Sequence, residues 1–393
     1  MVFILQITEE TVGDRAVLTA PIALGDEYDS EYRVPNILQI ILSVLKNVRP
    51  GTDLTRIPVP PLLNLPKSHL QCYGETVYST NVDLLSKVAN GESSVDRFIA
   101  AVAWSISTQR HLSFGISPYN PILGETHHVS KASLNVLVEQ VSHHPPVNAL
   151  YATDEKDNIQ LLWCHTHVPK FTGTKVEVDV RGERELKILN KKETYLMNTP
   201  NLVIRILPFP GVDWQGNVSI RCQETGLKAD ICYKGTSFLS RKGKNRSLVG
   251  KIFRTSSSSS SSEPIYEISG NWDRTVTIKD TTNGEVRVIY NAKQAFSGLK
   301  TPVVKLPKEV VPSESAVVWA EVNKGILKKQ WDKAKEAKTV IEERQRELER
   351  ERESKGETWI PKHFKVSYSK ENGWQALPCH KLVPPAPIVV PTS

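Results

Sequence analysis

The stretch Lys175-Val176-Glu177-Val178-Asp179-Val180 places a charged residue and a valine in strict turn. A period of two sends successive side chains to opposite faces of an extended chain, so this segment is a strand with one wet and one dry face. The same period recurs on both sides of it, from about residue 132 to 290. Val218, Ile220 and Cys222 alternate with Asn217, Ser219 and Arg221, and Val276 and Ile278 alternate with Thr275 and Thr277. Short polar turns are expected at Asp154 to Asn158, at Arg181-Gly182-Glu183, and at Asp280 to Gly284 with its Asn-Gly pair. Connections this short do not join parallel strands, which need long crossovers, so the region predicts an antiparallel meander. A meander with one apolar face must close into a barrel or pack as a sandwich. No pair of equal strand sets is visible, and a barrel in a mainly β (α+β) chain is the expected fold class.

Other periods flank the meander. Between Asn36 and Asn47, Ile37, Ile40, Ile41, Val44 and Leu45 recur at helical spacing, with Pro35 ahead and Pro50-Gly51 behind. A second helix is predicted from about Val95 to Thr108, with Phe98, Ala101, Val102 and Ser105 on one face; the rest of the first ninety residues reads as irregular and proline-rich. From Ser313 the chain turns helical, and Leu327, Trp331, Ala334, Lys338, Ile341, Gln345 and Leu348 form one stripe. Lys338, Glu342 and Arg346 climb one side of it over roughly 12 Å. On pattern alone these three read as a salt-bridged, solvated flank. The seven-serine run Ser256 to Ser262 reads as a loop between strands, and the five prolines from Pro378 to Ser393 as an extended tail.

Composition excludes some classes and leaves others open. The 393 residues carry 50 Lys+Arg and 43 Asp+Glu, a net +7, which is too thinly spread for a nucleic-acid-binding tail. No apolar run approaches the ~20 residues that span a bilayer. The start Met1 to Ile7 is apolar, but acidic Glu9 and Glu10 follow and no basic segment precedes, which argues against a secretory signal. Five cysteines without C-x-x-C spacing fit reduced thiols in the cytosol.

Most of the ten histidines lie between His111 and His167, with pairs at His127-His128, His143-His144 and His165-x-His167. Paired imidazoles raise the alternative of a zinc hydrolase. Adjacent residues on a strand point to opposite faces, however, and no H-E-x-x-H is present; no catalytic residue, metal ligand or cofactor is expected. The segment Glu139-Gln140-Val141-Ser142-His143-His144-Pro145-Pro146 differs in kind. Strand alternation through Leu134, Val136 and Val138 runs into it and the two prolines stop the ladder, which fixes two imidazoles at a strand exit. With unperturbed pKa values near ~6.5, both can be recruited as charged donors to a phosphate.

EQVSHHPP at 139 to 146 resembles the signature of the oxysterol-binding-protein-related lipid transfer proteins. Other segments agree in the same order: DLTRIPVP at Asp53 to Pro60 with Asn64, Pro66 and Ser68 to Gln71; NPILGE at Asn120 to Glu125; Gly270-Asn271-Trp272-Asp273; Glu314-Ser315 with Trp319; and KTVIEERQR at Lys338 to Arg346. The likeness spans about residues 15 to 365 and is nearest the short plant-type members made of the lipid-binding domain alone. No pleckstrin-homology domain, ankyrin repeat or acidic two-phenylalanine motif is found in the sequence.

The resemblance implies an incomplete antiparallel β-barrel around a hydrophobic lipid tunnel, with an N-terminal lid and a C-terminal helical subdomain. A single domain over 1–393 is expected. It would run as lid and first helix (1–47), linker and helices (48–131), barrel (132–300), helical subdomain (301–377) and tail (378–393). The implied activity is non-enzymatic transfer of sterol, phosphatidylinositol 4-phosphate or another phospholipid between membranes. By matching motif positions, His143, His144, Lys338, Glu342 and Arg346 would bind the phosphorylated headgroup, and the loop opening at Asn120 would add backbone donors. Many relatives carry Lys or Arg where Ser117 precedes Pro118; Lys131 is the candidate replacement cation. The lid is assigned to the face of Ile37, Ile40, Ile41 and Val44. A monomer is expected, cytosolic and visiting anionic intracellular membranes such as the endoplasmic reticulum, without nucleic acid. A lipid sensor or scaffold, using the serine run and the tail, is the alternative.

Overall fold

The computed structural model describes residues 10–24, 34–55, 57–235, 246–254 and 263–392. The serine run Ser256 to Ser262 and residues 1–9 and 25–33 of the lid segment lie outside the described residues. The helices are α1 (Ile37–Leu45), α2 (His69–Tyr78), α3 (Leu84–Asn90), α4 (Ser94–Ser107), α5 (Ala292–Phe296), α6 (Ser315–Val318), α7 (Ala320–Leu327) and α8 (Trp331–Lys355). Strands β1 (Asn64–Ser68) and β2 (Ser117–Tyr119) form a short parallel pair. The large sheet opens with β3 (Thr126–Lys131), β4 (Leu134–His143), β5 (Pro146–Asp154), β6 (Ile159–Phe171), β7 (Lys175–Arg181), β8 (Arg184–Ile188), β9 (Glu193–Met197) and β10 (Asn201–Arg205). It continues through β11 (Gly211–Cys222), β12 (Leu227–Lys234), β13 (Ser247–Arg254), β14 (Pro264–Asn271), β15 (Thr275–Asp280), β16 (Val286–Asn291) and β17 (Val303–Val304). A separate hairpin, β18 (Phe364–Ser369) and β19 (Gly373–Pro378), precedes β20 (Ile388–Val389).

The predicted meander is present, as neighbouring antiparallel strands in the order β16 back to β11 and, on the far side, β6 back to β3. Between these two halves the sequence reading of Arg181-Gly182-Glu183 as a turn is corrected. β7 and β8 both pair antiparallel with β6, through Thr166↔Arg181 and Trp163↔Arg184, so they are one strand interrupted by a bulge. β10 and β9 likewise both pair with β11. Gly182 explains the bulge: its φ is +123°, and a Cβ there would fall 2.0 Å from the Cys164 carbonyl oxygen. Parallel pairing, excluded by the short connections, does occur where connections are long, between β1 and β2 and between β20 and β3.

Among the described residues the sheet does not close on itself, and helices fill its concavity. α2 packs on β3 and β4, and α4 packs on β16. Leu70, Val77, Phe98, Val102 and Ile106 from these helices join Val136, Leu150, Leu161, Ile220, Ile231 and Ile278 from the strands in one apolar core. The architecture is an incomplete β-barrel with helices set into it. α2 and α3 lie in the stretch read as irregular. Their signals are short: Ser68 caps α2, accepting from Leu70 N–H with Gln71 reaching back to its own amide, and Asp83 caps α3.

The outer face of β4 to β6 is buried as well, under β18 and β19, through Leu137, Val141, Val147, Phe364 and Ala376. The proline-rich end is extended, but Val383, Ala386, Ile388 and Val390 are buried and β20 lies between β3 and β17, so it is part of the sheet and not a tail. The stripe assigned to one helix is broken at Lys329, whose φ of +55° ends α7, which leaves Leu327 on a separate helix from Trp331 onward. Among the described residues no helix is long and apolar enough to cross a membrane.

Gly182→Ala is expected to lower stability by about 1–3 kcal/mol, because the added carbon must displace the β6 backbone; the midpoint of urea unfolding measures it.

Candidate functional site

The antiparallel register puts the end of β4, the start of β5, the end of β6, the start of β7 and the end of β10 on one rim. His143 and His144 stand there, at the end of β4, with ring centroids 4.6 Å apart. Burial and the neighbouring His144 lower the pKa of His143, which keeps its ring neutral more readily; the Glu349 carboxylate and the Pro121 carbonyl oppose this. The Nδ1 of His143 is buried without a hydrogen-bond partner, whereas His144 is exposed.

The loop from Asn120 to Glu125 lies between this strand exit and the helices. Glu125 is fully buried, and its carboxylate accepts from Ile122 N–H (3.0 Å), the Ser315 hydroxyl (2.7 Å) and the Trp319 indole (2.9 Å). Burial pushes its pKa up while these donors hold it down. Gly124 N–H donates to the Gln140 carbonyl and Gln140 N–H to the Glu125 carbonyl. The expectation that the whole loop offers backbone donors is therefore corrected: the amides of Ile122, Gly124 and Glu125 are engaged internally, which leaves Asn120, exposed at the loop's start, and Leu123.

Lys338 departs from a solvated flank. It is buried, and its ammonium donates to the Asn64 side-chain oxygen (2.8 Å) and the Val59 carbonyl, with Glu342 at 3.8 Å. Burial lowers its pKa and Glu342 opposes the shift. Glu342 also pairs with the more exposed Arg346 at 3.6 Å. Glu349, whose charge reaches His143, is three residues past Arg346 on the same side of α8, so the helix brings its cations toward the imidazole pair. Ser117 sits inside this network: its carbonyl accepts from Asn64, whose side-chain oxygen accepts from Lys338. Lys131 does not compensate. It lies opposite Leu134, nine residues along β4 from His143, roughly 30 Å away, and its ammonium donates to the Thr80 carbonyl.

The remaining histidines are taken up by the fold, with His69, His165 and His167 gathered around Tyr73. His127 bonds Glu314 (2.7 Å) and the Tyr78 hydroxyl (3.0 Å), His128 the Pro384 carbonyl, and His165 the Tyr73 hydroxyl (2.8 Å). Among the described residues no group of three or more His, Cys, Asp or Glu is placed to hold a metal ion, so the hydrolase alternative has no ligand set. The residues expected to form a lid lie over the same rim as His143. Ile37 is buried with Ile22, Leu63 and Ile116, and Ile40, Ile41 and Val44 pack against that cluster; Ile41 also meets Phe171, Val176 and Ile206 at the strand ends.

A family model for Oxysterol-binding protein matches residues 40–380. The chain belongs to the oxysterol-binding protein family. Oxysterol-binding protein-related protein 4C of Arabidopsis thaliana is 52% identical over 95% of this chain and 98% of its own length; protein 4B of the same plant is 50% identical over 98% and 100%. Among solved structures, the Osh1 ORD domain in complex with cholesterol superposes with a TM-score of 0.73 at 23% identity, covering 93% of this chain and 91% of that one. The Osh3 ORD in complex with PI(4)P from Saccharomyces cerevisiae gives 0.67 at 22% identity, covering 94% and 95%. These two likenesses concern the fold.

Several residues in the stretches that carry the oxysterol-binding protein resemblance turn out to be braces, a role sequence reasoning missed. Glu139 accepts from the amides of Lys362 (2.7 Å) and His363 (2.8 Å), which ties β4 to the segment after α8. Glu314 accepts from His127 and from His128 N–H (3.0 Å). The signal was available: each is a carboxylate inside an otherwise apolar or structural stretch, and a buried carboxylate must find donors. Glu125→Ala leaves buried donors on Ile122, Ser315 and Trp319 unpaired and is expected to cost about 2–4 kcal/mol in urea unfolding. Glu125→Gln, which keeps one acceptor, should cost less.

Proposed function

We propose that this protein is a non-enzymatic lipid carrier that takes up a sterol or a phosphatidylinositol 4-phosphate from a cytosol-facing membrane and delivers it to another. The observation that carries the reading is the rim itself: two imidazoles tilted against each other at 4.6 Å, one with an unpartnered buried Nδ1, beside the helix bearing Lys338 and Arg346, at the end of an apolar barrel. Nearly doubly charged phosphomonoesters favour such convergent imidazole and cationic donors. The Osh1 and Osh3 domains, which share the fold, were solved with cholesterol, ergosterol and PI(4)P.

In this reading His143 and His144 donate to the phosphate, Lys338 and Arg346 supply cations, and Glu342 orients both. The face of Ile37, Ile40, Ile41 and Val44 serves as lid. Inside the barrel, Trp163 Nε1, His165 Nε2 and Arg184 Nε are buried without partners, with the Arg184 guanidinium 4.3 Å from the Trp163 ring centroid. These donors would receive the oxygen of a sterol. The protein works as a monomer, visiting membranes such as the endoplasmic reticulum. The sensor alternative loses one of its two supports, because the proline-rich end is packed into the sheet.

His143→Ala with His144→Ala is expected to abolish extraction of phosphatidylinositol 4-phosphate from liposomes and to leave sterol uptake largely intact; transfer between two liposome populations measures both. Equal loss of both lipids with the fold retained would overturn the division of roles, and binding without transfer would favour a sensor. Ser117→Lys adds a cation beside Lys338 and should raise phosphoinositide affinity about tenfold. A phosphate raises the depressed pKa of His143, so binding takes up a proton between the free and bound values. Affinity should therefore rise as pH falls from neutrality through the ordinary histidine range near ~6.5, and a His143→Ala single variant that still binds should show a weaker dependence.

A further inference from the structure

The loop joining β10 to β11 ends in Leu207-Pro208-Phe209-Pro210, and all four residues are exposed, Phe209 to 62% and Leu207 to 42%. A phenylalanine held in water at a loop tip gains nothing from the protein's own core. The loop is nonetheless well fixed. Arg205 faces Gly211 across the ladder and pairs with Asp213 at 2.9 Å, the amides of Ile206 and Leu207 both donate to the Thr174 carbonyl, and Pro208 and Pro210 restrict the backbone. It also stands on the rim of the candidate site, four strand spacings or roughly 19 Å from β4.

The surroundings specify what such a tip would meet. Ile206, just before the loop, is buried under Leu38, Ile41 and Leu45 of α1, so the outer side of that helix adjoins the tip. That outer side presents Leu42, 41% exposed, and Lys46, with Arg49 following. Lys170 and Lys175 stand at the ends of the neighbouring strands; Lys175 pairs with Glu177, and Asp53 bridges to Lys170 through the backbone. Apolar tips ringed by long cationic side chains match the boundary between acyl chains and anionic headgroups, where lysine and arginine reach phosphate while leucine and phenylalanine enter the hydrocarbon.

We infer that Leu207, Phe209 and Leu42 form a wedge that seats the barrel rim on an anionic bilayer. This rests on the lipid-carrier reading and gives it an orientation: the wedge enters the membrane while His143 and His144 face the headgroups. A pre-formed tip loses little conformational freedom on insertion, which suits brief and reversible docking.

The test uses the full chain with Cys379→Ser, which removes the exposed thiol, and an environment-sensitive fluorophore on Phe209→Cys or, as a control, on Glu155→Cys at the opposite end of the barrel. With vesicles of phosphatidylcholine and phosphatidylserine, the probe at 209 should shift to the blue and be quenched by lipids spin-labelled on their acyl chains, and the probe at 155 should do neither. Phe209→Asp should weaken co-sedimentation with these vesicles about tenfold while loading of a fluorescent sterol from cyclodextrin, where no membrane is involved, stays unchanged. A probe at 209 that stays in water on vesicle-bound protein, or a Phe209→Asp variant that sediments like the parent, overturns the inference. So does a dimer that Phe209→Asp dissolves without any vesicle response, since the patch would then be a self-contact. Failure of the parent to load sterol from cyclodextrin and to extract phosphatidylinositol 4-phosphate counts against the carrier reading, whereas the probe at 209 decides the docking either way.

Discussion

One buried carboxylate holds the two halves of this molecule in register. Glu125 stands where the N-terminal segment enters the barrel, and its two oxygens are shared among its own loop, a serine and a tryptophan from helices almost two hundred residues further on. A charge removed from water is costly unless every lone pair finds a donor, and here the donors come from distant parts of the chain, which Thr126 N–H, donating to the Ser313 carbonyl (2.8 Å), and the stacking of Tyr119 on Trp319 also join. Glu139 repeats the device one strand later with two backbone amides, and Glu314 with a histidine and an amide. Three carboxylates thus position α8 and the loop at Asn120 against the strand exit that carries the histidines. The side chains proposed to bind the headgroup have short reach, and without these braces they would not converge.

The site that results is electrically unusual. Lys338 is held chiefly by neutral acceptors, a carbonyl and an amide oxygen, and the nearest carboxylate stands 3.8 Å off and divides its charge with Arg346. A lysine neutralised by a close carboxylate would offer little to an incoming phosphate. One that is buried and only partly compensated remains attractive to an anion, and the depressed pKa records the cost of keeping it so.

The sheet was legible because period two survives even where both faces are buried. Val136 and Val138 face the helices while Leu137 faces the hairpin, and the alternation marks sides even though all three are apolar. Chain reversals were less legible. Arg181-Gly182-Glu183 has turn composition, yet glycine serves a bulge as readily as a hairpin, and only the pairing of both flanks with β6 separates the two. α2 escaped notice because its burial is nearly complete, which erases the polar face that makes a helix stand out. At the site, the histidine pair was readable from local pattern. That Lys338 would be buried against Asn64 was not, since the contact joins positions 274 apart.

The pairing of Ile388 with Val129 has a consequence for how the chain is made. β3 is the first strand of the large sheet to leave the ribosome, and its inner neighbour β4 follows at once across a tight connection. Its outer neighbour, β20, comes at the far end of the sequence. Until then β3 offers a row of unsatisfied backbone groups to any passing chain. A nascent barrel of this design has one edge that is covered only once β20 has been made, so a chain interrupted before that strand would be largely folded and still adhesive along one side.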